Sequence, residues 1–264
     1  STPMERPEDL SDQEILTEED LAVRDSEVAA RVSFDNVSPG NVGAYNEFWV
    51  ERGSLIAQTS LVVDPPDGKL PAMTQQAQRK GDEFMARWFA PPASWEDMNL
   101  YDRCITRGLP GAMIPGFYNH NYLILQTPDY VALQIEMIHD TRVIPLDGRP
   151  HLQPVVRQWL GDSRGYWEGE TLVIETTQFR SDSGMTGPNM HLIERLTRLD
   201  PDTIAYEYTV TDPTVYTAPY TVMMPLRRTD GPIFEYACHE GNIGLYGILA
   251  GARELERQGR VLRR

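Results

Sequence analysis

The sequence predicts a mainly β protein, an antiparallel meander that closes into a lipocalin-like barrel or folds into a sandwich, with a few peripheral helices. Three hairpin signatures carry this prediction, because each places turn-forming residues between two segments rich in β-branched and aromatic residues: Thr127-Pro128-Asp129, Glu168-Gly169-Glu170 and Asp200-Pro201-Asp202. Many short strands joined by tight turns are typical of barrels and sandwiches. The chain does not alternate strands with helices, which argues against a doubly wound parallel sheet.

The strands are predicted from short apolar or alternating runs that are bounded by turn-forming residues. They cover residues 45–51, 59–63, 122–126, 130–138, 141–146, 165–167, 171–179, 192–199, 203–211, 220–226 and 234–239. Helices are predicted over residues 74–88, in a short segment capped by Ser94, and over residues 243–258. A capping-box pattern at Ser11 predicts one further short, acidic helix.

Charge divides the chain into two parts. Residues 1–30 hold ten acidic residues against two arginines, which is −8 of the formal net charge of −15. We therefore predict an acidic N-terminal extension, residues 1–43, packed on the surface of a single mainly-β domain, residues 44–264, that ends in a helix. The chain has no stripe of Lys and Arg that could neutralise several phosphates, so neither nucleic acid nor an anionic membrane surface is an expected partner. No run of about 18 apolar residues predicts a membrane span.

Several motifs of the chain are distinctive. They are YNEFW at residues 45–49, SLVVDPPDG at 60–68, CITRGLPG at 104–111, EMIHDTRVIPLDGRPH at 136–151, QWLGDSRGYWEG at 158–169 and FEYACHEGN at 234–242. Through these motifs the chain resembles, over roughly residues 41–253, a large group of uncharacterised bacterial proteins. Members of that group typically carry an N-terminal signal peptide, so the resemblance implies export and a periplasmic or secreted location. It implies no particular reaction.

The chain contains two cysteines, which permit one disulfide bond. In an oxidising compartment Cys104 and Cys238 could pair, and a bridge across so long a loop is worth about 3–5 kcal/mol. In the other reading each cysteine is a buried thiol that behaves as a small apolar residue.

The first candidate for proton transfer lies at the end of the predicted strand 130–138. Strict alternation places a row of apolar residues on one face of this strand, and the row ends at His139. An imidazole at the rim of an apolar face is suited to proton transfer because its pKa lies near neutrality, and Asp140 lies beside it. The alternative is a histidine that is hydrogen-bonded to neighbouring backbone, with Asp140 as a turn residue.

The second candidate is the pair His239 and Glu240, at the end of the predicted strand 234–239. A regular strand would turn Glu240 inward beside aromatic residues, where a raised pKa suits a general acid. Alternatively, Glu240 and Asn242 only cap the final helix. Because strand ends gather at the mouths of a barrel or sandwich, we expect His139 and the His239-Glu240 pair to share one pocket.

Five further side chains are candidates for substrate binding. Arg107 could hold a carboxylate or an oxyanion, and Tyr118 and His120 supply a phenol and an imidazole just ahead of a strand. Trp167 and Tyr208 could line an aromatic pocket, although core packing is the default for such residues.

Other catalytic and cofactor patterns are weak. The segment Gly161-Asp162-Ser163-Arg164-Gly165 matches G-x-S-x-G, but a hairpin follows Ser163 where a nucleophile elbow requires a helix. The sequence has no histidine or cysteine pair at metal-ligand spacing and no glycine fingerprint for a nucleotide, so neither a metal nor another cofactor is predicted. The sequence leaves open whether His139, His151, His239 and Glu240 converge on a metal.

The leading functional hypothesis is a cofactor-independent acid–base enzyme, a lyase, isomerase or hydrolase that acts on a small, partly hydrophobic molecule in a β-barrel pocket. His139, beside Asp140, would take one proton-transfer role and His239 or Glu240 the other, while Arg107, Tyr118 or His120 would hold a polar group of the substrate. The alternative is a non-catalytic, lipocalin-like binder of a small apolar ligand. A structural or partner-binding exported protein is a third reading, and the sequence does not predict an oligomeric state.

Overall fold

The computed structural model describes residues 2–31, 53, 55–88, 90–116, 118–180 and 187–260. Within these ranges the protein is mainly β, as predicted, and nine strands form two antiparallel sheets. The strands are β1 (Val62–Asp64), β2 (Tyr122–Gln126), β3 (Tyr130–Ile135), β4 (Thr141–Pro145), β5 (Asp162–Glu168), β6 (Thr171–Thr177), β7 (His191–Asp200), β8 (Thr203–Thr211) and β9 (Tyr220–Arg227). The three predicted hairpin turns are confirmed, because they join β2 to β3, β5 to β6 and β7 to β8.

The larger sheet has six strands in the order β1-β9-β8-β7-β6-β5, and the smaller sheet has the order β2-β3-β4. In the described ranges no strand pairing joins the two sheets into a closed barrel. Alternation along each strand of the larger sheet gives one buried face, on which cross-strand neighbours align in rows. One such row consists of Leu172, Leu196, Tyr206 and Met224.

The smaller sheet supplies the opposite wall of the core. Val131, Leu133, Ile135 and Ile144 are all buried and belong to the same apolar cluster as the inner face of the larger sheet. The two sheets approach each other closely at Gly165 on β5, where a Cβ atom would lie 2.9 Å from Ile144 Cγ2 on β4 and 2.7 Å from Cδ2 of Leu146, which follows that strand. A residue without a side chain is therefore required for this close approach.

A buried ion pair joins the two sheets inside this apolar core. Arg142 on β4 donates to both carboxylate oxygens of Glu194 on β7, with Nη1–Oε1 and Nη2–Oε2 distances of 2.9 and 2.5 Å. Its Nη2 also lies 3.2 Å from Ser163 Oγ and 3.2 Å from Thr176 Oγ1. Tyr206 donates its hydroxyl to Glu194 Oε1 over 2.7 Å. The bidentate pair and the Tyr206 hydroxyl together satisfy the carboxylate that the alternation places in the core, while the Ser163 and Thr176 hydroxyls accept from the guanidinium.

Three α-helices lie in the described part: α1 (Glu18–Arg31), α2 (Gln75–Trp88) and α3 (Ile243–Arg257). The two predicted helices 74–88 and 243–258 are thus confirmed to within a residue. Ser94 caps a single 3-10 turn, Trp95–Asp97. None of the helices that the structure describes is both long and apolar enough to cross a membrane.

The N-terminal arm differs in detail from its prediction. The acidic helix begins at Glu18, where Thr17 Oγ1 accepts from Asp20 N over 3.1 Å, and Ser11 lies in a turn instead of capping it. The backbone of residues 3–6 bonds to the segment 61–68, for example Leu61 N to Pro3 O over 2.9 Å. The predicted strand 45–51 and the predicted boundary at residue 43 lie outside the described residues.

Two strand predictions are wrong, and both concern segments that carry site candidates. The strand predicted over 130–138 ends at Ile135 and continues as a 3-10 turn, Met137–His139, because Ile138 and His139 adopt left-handed φ values of 61° and 49°. Residues 234–239 form an irregular segment followed by a turn, with no strand. The Glu136 carboxylate accepts a hydrogen bond from Phe234 N in this segment, in place of a neighbouring strand.

The buried ion pair generates a stability prediction. Replacing Arg142 by Met leaves an uncompensated carboxylate in the core, so we expect the R142M variant to lose about 3–5 kcal/mol of unfolding free energy in urea denaturation. The double variant R142M/E194Q removes the charge but keeps an acceptor for Tyr206, and it should recover a large part of this loss. The control is R195M, which breaks an exposed ion pair with Glu168 and should change stability by less than about 1 kcal/mol. Equal effects of R142M and R195M would contradict the argument.

Candidate functional site

Most of the residues singled out from the sequence meet where four segments of the chain come together. We call this region the disulfide junction; it comprises residues 99–108, 116–121, 136–140 and 234–242, without the undescribed residue 117. Cys104 and Cys238 form a disulfide bond there, with their Cα atoms 5.7 Å apart. The prediction that the two cysteines can form a disulfide bond is therefore confirmed, and the alternative of two buried free thiols is wrong. Asn242, which caps α3, adds a second link by donating to Asp102 O over 2.9 Å.

An arginine and a histidine form the chemical centre of the junction. Arg107 Nη1 lies 2.9 Å from His120 Nε2, and the Arg107 guanidinium sits 5.5 Å from the centroid of the Tyr101 ring. Burial, and then the charge of Arg107, lower the pKa of His120 from 6.5 to about 4, against an opposing effect of Glu136. The imidazole is therefore neutral at neutral pH, and its Nε2 accepts the hydrogen bond from Arg107.

Gly116 creates the space for this imidazole. A Cβ atom at position 116 would lie 2.0 Å from His120 Nε2 and 2.6 Å from its Cε1. Any side chain larger than hydrogen would push the ring away from its present place. The glycine therefore positions the histidine against Arg107, a contact that the sequence did not reveal.

Tyr101, which lies against the Arg107 guanidinium, joins a cluster of three tyrosines. The Tyr101 hydroxyl lies 3.2 Å from that of Tyr118 and 3.4 Å from that of Tyr236, and the Tyr118 and Tyr236 rings stack at 6.4 Å. Burial, followed by the hydrogen bonds to these two neighbours, raises the pKa of Tyr101 far above its ordinary value. The Tyr101 phenol thus stays protonated and can donate to a bound oxygen atom. Tyr101 and Tyr236 were not among the sequence candidates.

Glu136 holds the junction together and was also missed by the sequence analysis. Its buried carboxylate accepts from Asn121 Nδ2 over 2.8 Å, from Asn121 N over 3.3 Å and from Phe234 N over 2.8 Å. These bonds tie the segment after Pro232 to the end of β3, although the segment forms no strand. Alternation had assigned Glu136 to the face opposite the apolar row, so no sequence pattern identified it as buried.

His139 and Asp140 lie in the junction, but not as the alternation predicted. His139 is exposed, and its Nδ1 lies 3.0 Å from Tyr236 O, so the alternative of a histidine bonded to backbone describes it better than the inward rim position. Asp140 is partly buried and accepts from Thr106 Oγ1 over 2.8 Å. Burial raises the pKa of Asp140, although Thr106 and His139 oppose the shift.

The remaining candidates either have exposed side chains or lie in the core outside the disulfide junction. His239 and Glu240 follow Cys238 in a turn and are both exposed, so the inward orientation predicted for Glu240 is wrong. Trp167 lies at the exposed end of β5, away from the core, and Tyr208 is buried within the core with 1% of its surface exposed. Tyr208 is therefore a core residue, which is the default that the sequence analysis gave for such aromatic side chains. Ser163 is buried on β5, the edge strand of the larger sheet, with its Oγ 2.9 Å from Thr176 Oγ1 of β6, and a strand position without a following helix contradicts a nucleophile elbow.

A second polar cluster covers the outer face of the larger sheet. The buried Asp162 accepts from Leu152 N over 2.9 Å and lies 3.0 Å from His151 Nδ1, while Arg164 donates to its other oxygen over 2.8 Å. Nearby, His191 Nε2 lies 2.6 Å from Glu175 Oε1. Asp162 thereby fixes the segment around His151 onto the sheet. Across the described residues, no three His, Cys, Asp or Glu side chains are arranged to hold a metal ion.

No protein-family model matches the chain, and no curated protein is significantly similar to it in sequence. The functional argument therefore rests on the geometry of the disulfide junction.

The disulfide bond predicts the outcome of a thiol titration. Unreduced protein that has been unfolded in guanidinium should react with no equivalents of a thiol reagent, because both cysteines are bonded to each other. The same protein after reduction should react with two. Replacing Cys238 by Ser should lower the unfolding free energy by about 2–5 kcal/mol. Two reactive thiols before reduction would refute the bridge.

The low pKa of His120 predicts a pH-dependent loss of stability. The folded state holds this imidazole neutral down to about pH 4, whereas the unfolded chain takes up a proton near the ordinary value of 6.5. His120 therefore has no effect on stability above that ordinary value, and it destabilises the fold increasingly as the pH falls from there to about 4. The H120N variant should show a smaller decrease in unfolding free energy over this range.

The matched control is H239N, which removes an exposed histidine of the same junction and should retain the wild-type pH dependence. An NMR titration of the His120 ring gives the same information directly. A His120 pKa near its ordinary value of 6.5 would contradict the burial argument.

Proposed function

We propose that the chain is a cofactor-independent acid–base enzyme, a lyase, isomerase or hydrolase, that acts at the disulfide junction on a small, partly hydrophobic molecule bearing an anionic group. The observation that carries the proposal is the pairing of a neutral His120 with Arg107 at 2.9 Å, next to Tyr101, whose hydroxyl bonds to those of Tyr118 and Tyr236. A neutral imidazole is a proton acceptor, and a guanidinium beside it is a binding group for a carboxylate or a developing oxyanion.

Arg107 is the expected anchor for the anionic group. It is only partly buried, and no carboxylate of the described residues forms an ion pair with it; its partners are the His120 ring nitrogen and the face of Tyr101. The guanidinium has five N–H donors in a planar fork, so most of them remain for a ligand after one is given to His120. The rings of Tyr101, Tyr118 and Tyr236 supply apolar area beside it, which suits the hydrophobic part of the molecule.

Substrate binding would also activate the histidine. A carboxylate on Arg107 draws the guanidinium away from His120 Nε2 and neutralises the charge that depresses the imidazole pKa, so the pKa of His120 rises when the anion binds. The freed Nε2 lone pair then takes a proton from the substrate or from an attacking water molecule. The charge left on the substrate oxygen is stabilised by the phenol hydroxyls and by Arg107.

The proton must then leave His120, because an imidazolium next to Arg107 is unfavourable once the anion departs. In an isomerase or lyase the proton returns to a neighbouring atom or to the leaving group, and in a hydrolase it goes to the leaving group. In this proposal His120 takes the proton-transfer role, general base or acid, that the sequence analysis gave to His139. His139 and Asp140 flank the site, and His239 and Glu240 are not needed for this chemistry.

The alternative is a non-catalytic binder of a small ligand, the function that a closed, lipocalin-like barrel would serve. The observation that favours it is that Arg107 already occupies the basic nitrogen of His120. In that case the arginine and the tyrosines only orient the ligand, and no proton is transferred.

We also propose a periplasmic or secreted location. The disulfide between Cys104 and Cys238 supports it, because such bonds persist in oxidising compartments and are rare in the cytosol of mesophiles.

The anchoring role of Arg107 is tested with small aromatic carboxylates, namely benzoate, phenylacetate and cinnamate, in calorimetric or NMR titrations. Replacing Arg107 by Met should weaken binding roughly tenfold or more, because the charge-assisted bond to the carboxylate is lost. The matched control is R103M, since Arg103 lies in the same loop but stacks on Trp95. Equal affinities of the wild type and R107M for every probe would overturn the site.

Turnover distinguishes the enzyme from the binder. A screen of aromatic, terpenoid and sugar-derived carboxylates should yield a compound that the wild type converts, and H120Q should convert it on the order of 10²-fold more slowly while binding it with similar affinity. H239Q should convert it at the wild-type rate. Binding without conversion across the panel would favour the non-catalytic alternative.

A further inference from the structure

The inner face of the larger sheet is not covered along its whole length. Along β5, alternation places Ser163, Gly165 and Trp167 on this face; the first two are buried, but Trp167 is 45% exposed. Along β7 the buried Leu196 is followed on the same face by the exposed Arg198. The smaller sheet therefore ends before the larger one, and the interface between the sheets opens at the hairpin end.

This opening forms a shallow, open cleft of about 660 Å³ between the hairpin tips and the end of β2. Trp167, Leu199 and Pro201 give it apolar walls, and Gln126, Glu170 and Arg198 give it polar ones. We call it the hairpin cleft. Its size lies within the range of small-molecule sites, roughly 300–1,000 Å³. It shares no residue with the disulfide junction.

The arginine of the hairpin cleft is held in place before any ligand arrives. Arg198 donates from Nε to Asp200 O over 3.2 Å and from Nη2 to Pro201 O over 2.8 Å, which fixes the plane of its guanidinium against the turn. Its Nη1 has no partner among the described residues. Asp200 is held in turn by Asp202 N at 2.8 Å, so the turn that carries the arginine is itself ordered by hydrogen bonds.

We propose that the hairpin cleft binds a neutral saccharide of one or two pyranose rings, with one ring stacked on Trp167. A pyranose presents an apolar face of C–H groups and an edge of hydroxyls. The indole and the Leu199 side chain would pack against the apolar face. The planar polar groups of Arg198, Glu170 and Gln126 would form hydrogen bonds with the hydroxyl edge.

Charge and desolvation argue against the other classes of ligand. Arg198 is the only cation lining the cleft, against the two carboxylates Glu170 and Asp200, so an anionic ligand is repelled. A purely apolar ligand would bury the free Nη1 of Arg198 and the Gln126 amide without hydrogen-bond partners, which is unfavourable. Neutral hydroxyls satisfy these groups without adding charge.

The test uses NMR titrations of isotope-labelled protein with cellobiose, maltose, lactose and N,N′-diacetylchitobiose at millimolar concentrations. At least one of these sugars should shift the indole N–H signal of Trp167 in a saturable manner. Replacing Trp167 by Ala should weaken that binding roughly tenfold or more, and W167F, which keeps a stacking ring, should weaken it less; binding to these two variants is followed through the backbone amide signals of Gly169 and Leu199, which also line the cleft. Replacing Arg198 by Met should also weaken it, since the guanidinium hydrogen bond is lost.

The matched control is W95A, which removes a tryptophan that is 51% exposed in a different part of the chain. It should bind sugar as the wild type does. The R107M variant should do so as well, since the two sites are separate. The proposal is overturned if none of the four sugars shifts the Trp167 signal, if W95A weakens binding as much as W167A, or if only a neutral apolar probe such as toluene occupies the cleft.

Discussion

The arrangement of the two sheets depends on an ion pair that neither sheet could bury alone. Removing Arg142 and Glu194 from water is unfavourable by several kcal/mol for each ion, and the attraction between them offsets this only when their atoms meet in good geometry. That geometry exists in one register, because a slip of β7 by one residue would turn Glu194 to the outer face and leave Arg142 in the core without a counterion. Ser163, Thr176 and Tyr206 restrict the pair further, since each bonds to one of the two charges from a different strand.

The ion pair also constrains the disulfide junction, because Arg142 follows the turn Met137–His139 closely in the chain. Fixing Arg142 fixes the start of β4, and the turn that carries Glu136 and Asp140 immediately precedes that strand. Glu136 then binds Asn121 and the backbone of Phe234, while the disulfide draws the loop around Arg107 to the same place. The site is thus assembled from segments far apart in the sequence, and its rigidity comes from a buried carboxylate and a covalent bond instead of regular strands.

The parts of the structure that could be predicted from the sequence are those determined by interactions between residues close together in the chain. The hairpins and the helices α2 and α3 were predicted because turn residues and periodicity act over a few neighbouring positions. The failures at 136–139 and 234–239 share a non-local cause: left-handed backbone at Ile138 and His139 breaks the alternation, and the second segment binds to Glu136, about a hundred residues away, instead of to a strand. The pairing of Arg107 with His120 has the same character, since it needs the space at Gly116 and no pattern of spacing encodes it. The individual residue types were visible as candidates, but their partners were not.

A protein with a net charge of −15 repels anions at long range, but most of this charge does not lie in the part of the chain that forms the proposed anion site. More than half of this charge belongs to residues 1–30, and at physiological ionic strength exposed charges are screened beyond about 8 Å. The interactions of an approaching anion at the disulfide junction are therefore determined by the groups that it contacts, namely the Arg107 guanidinium and the Tyr101 hydroxyl, which stays protonated. Partial burial strengthens these contacts and at the same time keeps His120 neutral, so one environment both attracts the negative group and preserves a proton acceptor beside it. A charged histidine would strengthen the attraction for an anion but could not take its proton, which is why the depressed pKa of His120 fits a site for proton transfer better than a site for binding alone.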